Sequence, residues 1–540
     1  ARFRIDPVTA RIIRNRGIEG EAAIDRYLNG TLDDLYDPML LKDMERAVSI
    51  LCEAVDTGKK IRIVGDYDID GVCSTYILLQ AFERLGSDVD FEIPDRIKDG
   101  YGINESIIEQ AHADGVEVIL TCDNGISAFH QVELAKKYGM TVVITDHHEV
   151  PLDGEKEKIP PADAVIDPKQ ADCPYPFPEI CGAVVAYKLV QVLYARRGVP
   201  QMEWLDLLEF AAIATVGDVM KLQDENRILV KYGLKKMAQT KNLGLRRLAE
   251  KNNLDLGAIT AYHIGFVIGP CLNAGGRLKT AKEALALLRA QSEEEAERLA
   301  EELKELNDTR KDMTEQGTEA AKLQVESWYQ KDKVLVVFLP ECHESLAGII
   351  AGRLREYYQK PAIVLTRGEE AVKGSGRSID EYHMFKKLTE VSDLLLKFGG
   401  HPLAAGLSLE EKNIDEFRRR LNENAGLTEE DFKAKVWIDV PMPVGYVTER
   451  LVRELSCLEP FGQGNEKPLF AEKSLRIRAS RVLGRNRNVV KMTLEETDGH
   501  AIEALYFGDG TAFEEERAGR REIDVVYYPD INEYNGRKTL

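Results

Sequence analysis

The stretch Ile61-Arg62-Ile63-Val64-Gly65-Asp66-Tyr67-Asp68-Ile69-Asp70-Gly71-Val72-Cys73-Ser74 decides the fold. Its first four residues are mostly apolar and β-branched, as a buried strand requires. Three carboxylates follow at every second position, and a glycine closes the run. Beyond it Val72, Tyr76 and Leu79 recur at i, i+4 and i+7, the apolar stripe of a helix. The acids therefore stand at the carboxyl end of a strand, where open α/β sheets bind their ligands. Like charges this close stay ionised together only with cations between them, which points to a hard divalent metal. Two plainer readings compete. Asp-x-Asp-x-Asp-Gly also opens an EF-hand loop, but the twelfth position, where a bidentate Glu belongs, is Ile77, and the run follows a strand instead of a helix. The other is a solvated acidic turn, and the rest of the chain argues against it.

The pattern repeats. Val89-Asp90-Phe91-Glu92-Ile93-Pro94 alternates as a second strand and leads into the glycine-punctuated loop Asp95 to Gly102, with Arg96 and Lys98. Val116 to Thr121 predicts a third strand, ending in Cys122-Asp123-Asn124-Gly125. Asn-Gly marks a hairpin only between two strands, and the spacing of Ala128, Val132 and Ala135 is helical. Thr141 to Thr145 predicts a fourth strand, running into Asp146-His147-His148. Successive strand–helix units that each end in metal-binding side chains describe a doubly wound parallel sheet with one active edge. Any one of these acids could be a helix cap. All of them gathering at one edge by accident is a poor explanation. Imidazole beside several carboxylates suits Mn²⁺ better than Ca²⁺.

A length of 540 residues asks for more than one domain, most simply three. No apolar run nears the roughly 18 residues of a membrane helix, and the amino terminus lacks a secretory core. The eight cysteines form no CxxC pair and read as buried thiols in a reducing cytosol. A net charge of −20 excludes a protein that coats nucleic acid by charge alone. It does not exclude an enzyme that gathers its cations in one groove.

Residues 1–60 read as helical and carry no recognisable chemistry. After a proline-rich loop, an apolar helix ends in Gly217-Asp218, a weak signal by itself. Gly269-Pro270-Cys271-Leu272-Asn273-Ala274-Gly275-Gly276-Arg277 reads as a small-residue loop where a backbone could approach a ligand and Arg277 meet a phosphate. Ser292-Glu293-Glu294-Glu295 is a capping box opening a bridging helix. From Val334 a second βα pattern begins, with Gly374-Ser375-Gly376-Arg377-Ser378 as a phosphate cradle of glycine-exposed N–H groups, hydroxyls and a guanidinium. From about Val436 short alternating strands appear, and Arg476, Arg478, Arg481, Arg485, Arg487 and Lys491 cluster within sixteen residues of an acidic protein. Alternation puts Arg476 and Arg478 on one face, which predicts a small OB-type barrel with a basic groove for a nucleic-acid strand; the plainer reading is a solvated face.

Taken in order, Asp66 to Gly71, Asp123-Asn124-Gly125, Asp146-His147-His148 and Gly217-Asp218 resemble the motifs of the DHH phosphoesterases. Gly269 to Arg277, Gly374 to Ser378, Gly399-Gly400-His401-Pro402-Leu403-Ala404-Ala405-Gly406 and Pro460-Phe461-Gly462-Gln463-Gly464-Asn465 narrow the resemblance to the bacterial RecJ family. It covers about residue 5 to 540. Cys271 departs from it, standing where the family more often has Arg. The resemblance implies a DHH catalytic domain over 1–290, a bridging helix over 291–330, a DHH-associated domain over 331–432 and an OB-fold domain over 433–540. It implies a cytoplasmic 5′→3′ exonuclease that degrades single-stranded DNA to 5′-mononucleotides in repair and recombination. Two divalent ions, Mn²⁺ or Mg²⁺, would be held by Asp66, Asp68, Asp70, Asp123, His147 and Asp218, with Asp146 in support. His148 and Arg277 would neutralise the scissile phosphate, and with Asp123 they form the catalytic set. Arg96, Ser375 and Arg377 would bind the 5′-terminal phosphate, with Asn273, His401, Arg476, Arg478 and Arg481 also on the substrate. The implied state is a monomer, with single-strand-binding protein and a helicase as candidate partners. A superfamily phosphoesterase of short oligoribonucleotides or cyclic dinucleotides would share the metal motifs but needs no basic tail. A non-catalytic replication scaffold would be expected to have lost ligand acids.

Overall fold

In the computed structural model, which describes residues 3–534 and 537–540, the deciding stretch is a fully buried strand, β1 (Ile61–Val64), followed by helix α1 (Ile69–Arg84). A strand and not a helix precedes the acids, which disposes of the EF-hand reading. Strands β2 (Val89–Glu92), β3 (Val118–Cys122), β4 (Thr141–Thr145) and β5 (Ala164–Ile166) complete a five-stranded sheet in the order β2-β1-β3-β4-β5, parallel throughout. Register is what gathers the acids: Val64 pairs with Thr121 and Cys122 with Thr145, so the turns after β1, β3 and β4 leave the sheet side by side.

Alternating side chains fill two cores, one on each face. Ile61, Ile63, Val118, Leu120 and Val143 pack against α1 and helix α2 (Gly182–Arg197), while Val64, Ile119, Val142 and Ile144 pack on the other face with Ile107, Ile108 and Val132. The sheet is doubly wound, as predicted. Helix α3 (Leu208–Gly217) ends at Asp218. The segment read as a loop, Gly269 to Arg277, is instead helix α4 (Gly269–Leu278), entered through a π-helical turn at Ile264–Ile268. Cys271 is buried there, its Sγ accepting from Asn307 Nδ2 at 3.3 Å.

Helix α5 (Glu293–Gln324) is capped by Ser292 Oγ, which accepts from Glu295 N at 3.2 Å. It bridges two cores: Leu299, Ala300 and Leu303 join the first sheet's, and Ala321 joins that of a second sheet. That sheet contains Leu335–Phe338, Ala362–Arg367, Val372–Arg377, Leu395–Gly400 and Ala404–Leu409. Only its first two strands pair in parallel. Gly374 to Arg377 is thus part of a central strand and no cradle. Its backbone is engaged in ladders on both sides, and a Cβ at Gly374 would come within 2.5 Å of Leu365 Cδ2. Ser375 and Arg377 still share one face of it.

The C-terminal strands Phe470–Leu483, Val489–Glu495, Ala501–Phe507 and Glu522–Tyr527, with Val440–Pro441, form a curled sheet around Leu475, Ile477, Val490, Met492 and Leu494. The unit does not stand apart. Ile12 and Ile13 of the first helix (Pro7–Asn15) are buried against Val440, Leu451, Leu455 and Phe470, and Arg227 donates to Leu458 O at 3.0 Å. All eight cysteines are free, but Cys52, Cys173, Cys342 and Cys457 are only half-buried, a departure from the uniformly buried thiols expected. Among the described residues no helix is long and apolar enough to cross a membrane.

Candidate metal centre and phosphate pocket

The edge of the parallel sheet brings six predicted ligands together. Asp68 is the N-cap of α1, its Oδ1 accepting from Asp70 N at 2.9 Å and Gly71 N at 3.1 Å. That cap turns Asp66 and Asp70 inward. Asp66 is buried and accepts from Gly102 N at 3.2 Å; burial, and then the charge of Asp68, push its pKa up to about 8. Asp70 is fully buried and holds the N-terminus of α2, accepting from Gly182 N and Ala183 N at 2.7 Å each.

Asp123 follows β3 in the left-handed region, at φ 60°, a conformation Asp tolerates better than most side chains. Asn124 secures the turn through Val64 O at 3.0 Å and Cys122 O at 2.9 Å. Gly182 faces it, and a Cβ there would come within 2.7 Å of Asp123 Cβ, so the approach needs glycine. His147 Nε2 lies 3.1 Å from Asp123 Oδ1, 3.4 Å from Asp70 Oδ2 and 3.8 Å from Asp218 Oδ2.

The donor set fits divalent metal. Asp123 Oδ1 and both ring nitrogens of His147 are buried without a hydrogen-bond partner among the described residues, a costly state for polar atoms unless an ion completes them. Burial, then Asp70, Asp68 and Asp66, push the Asp123 carboxyl well above the usual range, and burial chiefly raises Asp218 to about 8. Burial also lowers His147, which keeps its imidazole neutral and able to ligate. Two triads with no member in common have their ligand atoms within 4.8 Å of one another: Asp66, Asp68 and Asp123, and Asp70, His147 and Asp218.

Asp146 lies behind this layer. It accepts from Ile126 N at 2.9 Å, His147 N at 2.8 Å and His148 Nδ1 at 2.8 Å. Burial opposes charge on His148, but Asp146, Asp218 and Asp70 outweigh it and raise the imidazole to about 9. Tyr101, missed in the sequence, lies 3.0 Å from His148 Nδ1 and donates to Asp123 O at 2.8 Å.

Beside the acids a cavity of about 560 Å³ lies between the two sheets, lined by Tyr67, Arg96, Arg277, Gly348, Ser375 and Arg377 among others. Arg96 sits 4.8 Å over the Tyr67 ring, and Arg277 donates to Ser345 O at 3.1 Å. Burial, then Arg96 and Arg310, lower Arg277 to about 10, so it remains charged at neutral pH. Arg377 donates to Ser375 Oγ at 3.1 Å, and both crowd Gly348, where a Cβ would fall 2.8 Å from Arg377 Nη2. Among the described residues none of the three arginines has a carboxylate partner, and the cavity's one acid, Glu344, pairs with Lys373 at 3.0 Å; three arginines so placed describe an anion site. Asn273 lines a slot adjoining Arg277. His401 is exposed at the turn after Leu395–Gly400.

The predicted basic face of the C-terminal sheet is a different matter. Arg476 and Arg478 are exposed on its outer side as expected. However, Arg476 stands across from Glu495 on one neighbour and Glu522 on the other, and Arg478 lies 3.9 Å from Glu495. Arg481 stands across from Lys491, which pairs with Glu503 at 2.9 Å. Around these residues the surface is mixed in charge, not a basic groove, while Arg485 and Arg487 are exposed in the turn beyond, Arg487 donating to Thr511 Oγ1 at 3.1 Å.

Comparison with known proteins extends over the same three units. Residues 60–215 match the DHH family, N-terminal domain; residues 331–426 match the DHHA1 domain; residues 438–540 match the RecJ OB domain. The single-stranded-DNA-specific exonuclease RecJ of Bacillus subtilis is 37% identical over 99% of this chain and 67% of its own length. Its namesake in Escherichia coli is 34% identical over 99% of this chain and 95% of its own length. The crystal structure of RecJ from Thermus thermophilus in complex with Mn²⁺ superposes with a TM-score of 0.83 at 30% identity, covering 99% of this chain and 74% of that one. The same protein was also solved with Mg²⁺, at a TM-score of 0.77 and 28% identity.

Proposed function

The chain belongs to the RecJ family of single-stranded-DNA-specific exonucleases, and we propose that it is itself a metal-dependent enzyme that removes nucleotides from the 5′ end of single-stranded DNA. The observation that carries this reading is the junction of two ligand triads with an arginine-lined cavity, joined through Tyr67, which lies between Asp66 and Asp68.

Asp66, Asp68 and Asp123 would hold one ion and Asp70, His147 and Asp218 the other. Two Mn²⁺ or Mg²⁺ ions there would supply the positive charge that an in-line displacement at phosphorus needs on its attacking and leaving oxygens. The chain's own groups do the rest. Asp70 ties the ligand layer to the first turn of α2. Asp146 and Tyr101 orient His148, whose charged ring offers an N–H to a phosphoryl oxygen. Arg277 brings a second cation on the side of the cavity. Arg96, Ser375 and Arg377 would receive the terminal 5′ phosphate, so that each cut releases one 5′-mononucleotide.

Digestion of one 5′-phosphorylated oligonucleotide, labelled at either end in separate samples with Mn²⁺, tests polarity. The 5′ label should appear in mononucleotide from the first time point, while the 3′ label stays on a shrinking ladder. The reverse pattern would refute the assignment of the arginine cavity. Loss of any preference for a 5′-phosphate over a 5′-hydroxyl would refute it equally.

A further inference from the structure

Arg96, Ser375 and Arg377 account for a terminal phosphate and Arg277 for the scissile one, which leaves Lys373 as the cavity's unassigned cation. Lys373, Ser375 and Arg377 alternate along the strand Val372–Arg377 and share the face that looks into the cavity. Lys373 stands two residues from Ser375, about 7 Å along the strand, on the side away from Arg377. Its side chain is 48% exposed, and its partner is Glu344 at 3.0 Å.

The floor beside this row is bare. Gly406 stands across from Ser375 and Gly399 across from Gly406, and a Cβ at either would meet nothing within 4 Å. Packing therefore demands neither glycine, and glycine weakens a strand interior. Close approach of a ligand to the sheet does explain them. The next row adds charge. Ser408 stands across from Lys373 and Lys397 across from Ser408; Lys397 is exposed and has no carboxylate partner among the described residues. On the facing wall the helix Ala347–Tyr358 begins, with Gly348 so close that a Cβ would fall 2.9 Å from Ser375 Oγ. The amino end of a helix favours negative charge. Tyr67, the one aromatic side chain of the lining, already lies under Arg96, so nothing past Ser375 can stack a further base. Further phosphates suit this surface.

Resting on the function proposed above, we propose that the cavity also accepts strands carrying a 5′-triphosphate, with the β- and γ-phosphates laid over Gly406 toward Lys373. The first cut on such a strand then releases a nucleoside 5′-triphosphate. Water's oxygen bonds to the phosphorus of the second nucleotide, and the bond from that phosphorus to O3′ of the first breaks. O3′ takes up a proton, the strand keeps a 5′-monophosphate, and the phosphoanhydride bonds stay intact. Lys373 is thus a specificity-determining residue, without a part in cutting monophosphorylated ends.

The test gives the full chain with Mn²⁺ one single-stranded oligothymidylate bearing a 5′-hydroxyl, a 5′-monophosphate or a 5′-triphosphate. Anion-exchange chromatography identifies the first product. Thymidine 5′-triphosphate should leave the triphosphorylated strand, with kcat/KM within about tenfold of that on the monophosphorylated one. Lys373→Ala should lower kcat/KM on the triphosphate end by on the order of 10-fold, as for one lost charge-assisted contact, and leave the monophosphate end within about twofold. Lys373→Arg should retain the triphosphate end, and Glu344→Gln, which removes the competing carboxylate, should improve it alone. A triphosphorylated strand that resists cleavage, or that sheds phosphate or pyrophosphate before its first cut, would overturn the proposal. An equal loss on both ends in a well-folded Lys373→Ala would overturn it too. Should that variant fold poorly, the first product of wild type and the response of Glu344→Gln decide. Failure of the underlying function looks different, because wild type would then leave the monophosphorylated strand intact as well.

Discussion

Replacing Asp123 by Asn should make the metal-free protein more stable and the enzyme inactive. Asp123 Oδ1 is buried with no donor, and Asp70, Asp68 and Asp66 add to the burial that drives its pKa up. Ionised, the side chain bears that repulsion; protonated, it holds a proton that the unfolded chain would release. Asn has nearly the same shape and bears neither cost. Leaving a buried polar group without a partner costs about 1–3 kcal/mol, so a gain of that size is expected in chelator-treated protein. At about 2–4 °C per kcal/mol for a unit of this size, the first thermal transition should rise by on the order of 2–12 °C. Mn²⁺ should then raise the transition of wild type and leave that of Asp123→Asn nearly unmoved. Turnover should fall by about 10³-fold or more, over 4 kcal/mol of barrier, while single-strand binding persists. Differential scanning calorimetry with and without chelator, beside hydrolysis of a labelled oligonucleotide, measures both halves. A variant less stable than wild type without metal, or active within about tenfold, would refute the reasoning.

Other outcomes follow from the same structure. Arg377→Ala should reduce the preference for 5′-phosphorylated over 5′-hydroxyl ends by tenfold or more, with little effect on very short oligomers; competition between the two ends in one reaction reads this out. Arg476→Ala/Arg478→Ala should change the slope of log affinity against log salt by less than about 0.5, because Glu495 and Glu522 already stand beside them; a change of about 1.4, the value for two lost phosphate contacts on a single strand, would restore the basic groove. Glu209 is 3% exposed, its Oε1 accepting from Thr240 Oγ1 at 2.7 Å, and burial raises it from 4.5 to about 7. Being raised, it contributes stability fully present below pH 4.5 and lost as pH rises through 7. Glu209→Gln should therefore match wild type near pH 4.5 and exceed it at pH 8 by on the order of 2–3 kcal/mol in denaturant titrations, and parallel curves would exclude the shift.

The parallel sheet and its acidic edge were legible because their signals are local: an apolar run, a carboxylate, then helical spacing. What the sequence hid was set by partners distant in the chain. Gly269 to Arg277 has the composition of a loop, yet Pro270 is tolerated in the first turn of a helix, and burial against α5 holds that helix together. Gly374-Ser375-Gly376 also reads as a loop, but it is a strand in which Gly374 accommodates Leu365 and Leu407 from its neighbours, and Gly376 faces Met384 and Ile363. Arg476 and Arg478 look basic along the chain; Glu495 and Glu522, supplied by adjacent strands, change that. Tyr101 and Gly182 carried no motif at all. The same interlocking spoils an obvious experiment, since deleting the C-terminal unit would expose Ile12, Ile13 and Arg227.

The central claim is that the gathered ligands make this chain a metal-dependent nuclease for single strands. Its most direct test is hydrolysis of one 5′-phosphorylated oligonucleotide, alone and annealed to its complement, by chelator-treated protein before and after Mn²⁺ is restored. No cleavage before Mn²⁺, and afterwards cleavage of the single strand at least about 100-fold faster than of the blunt duplex, is the predicted result. Cleavage that persists without metal, or equal rates on the two substrates, would contradict the account.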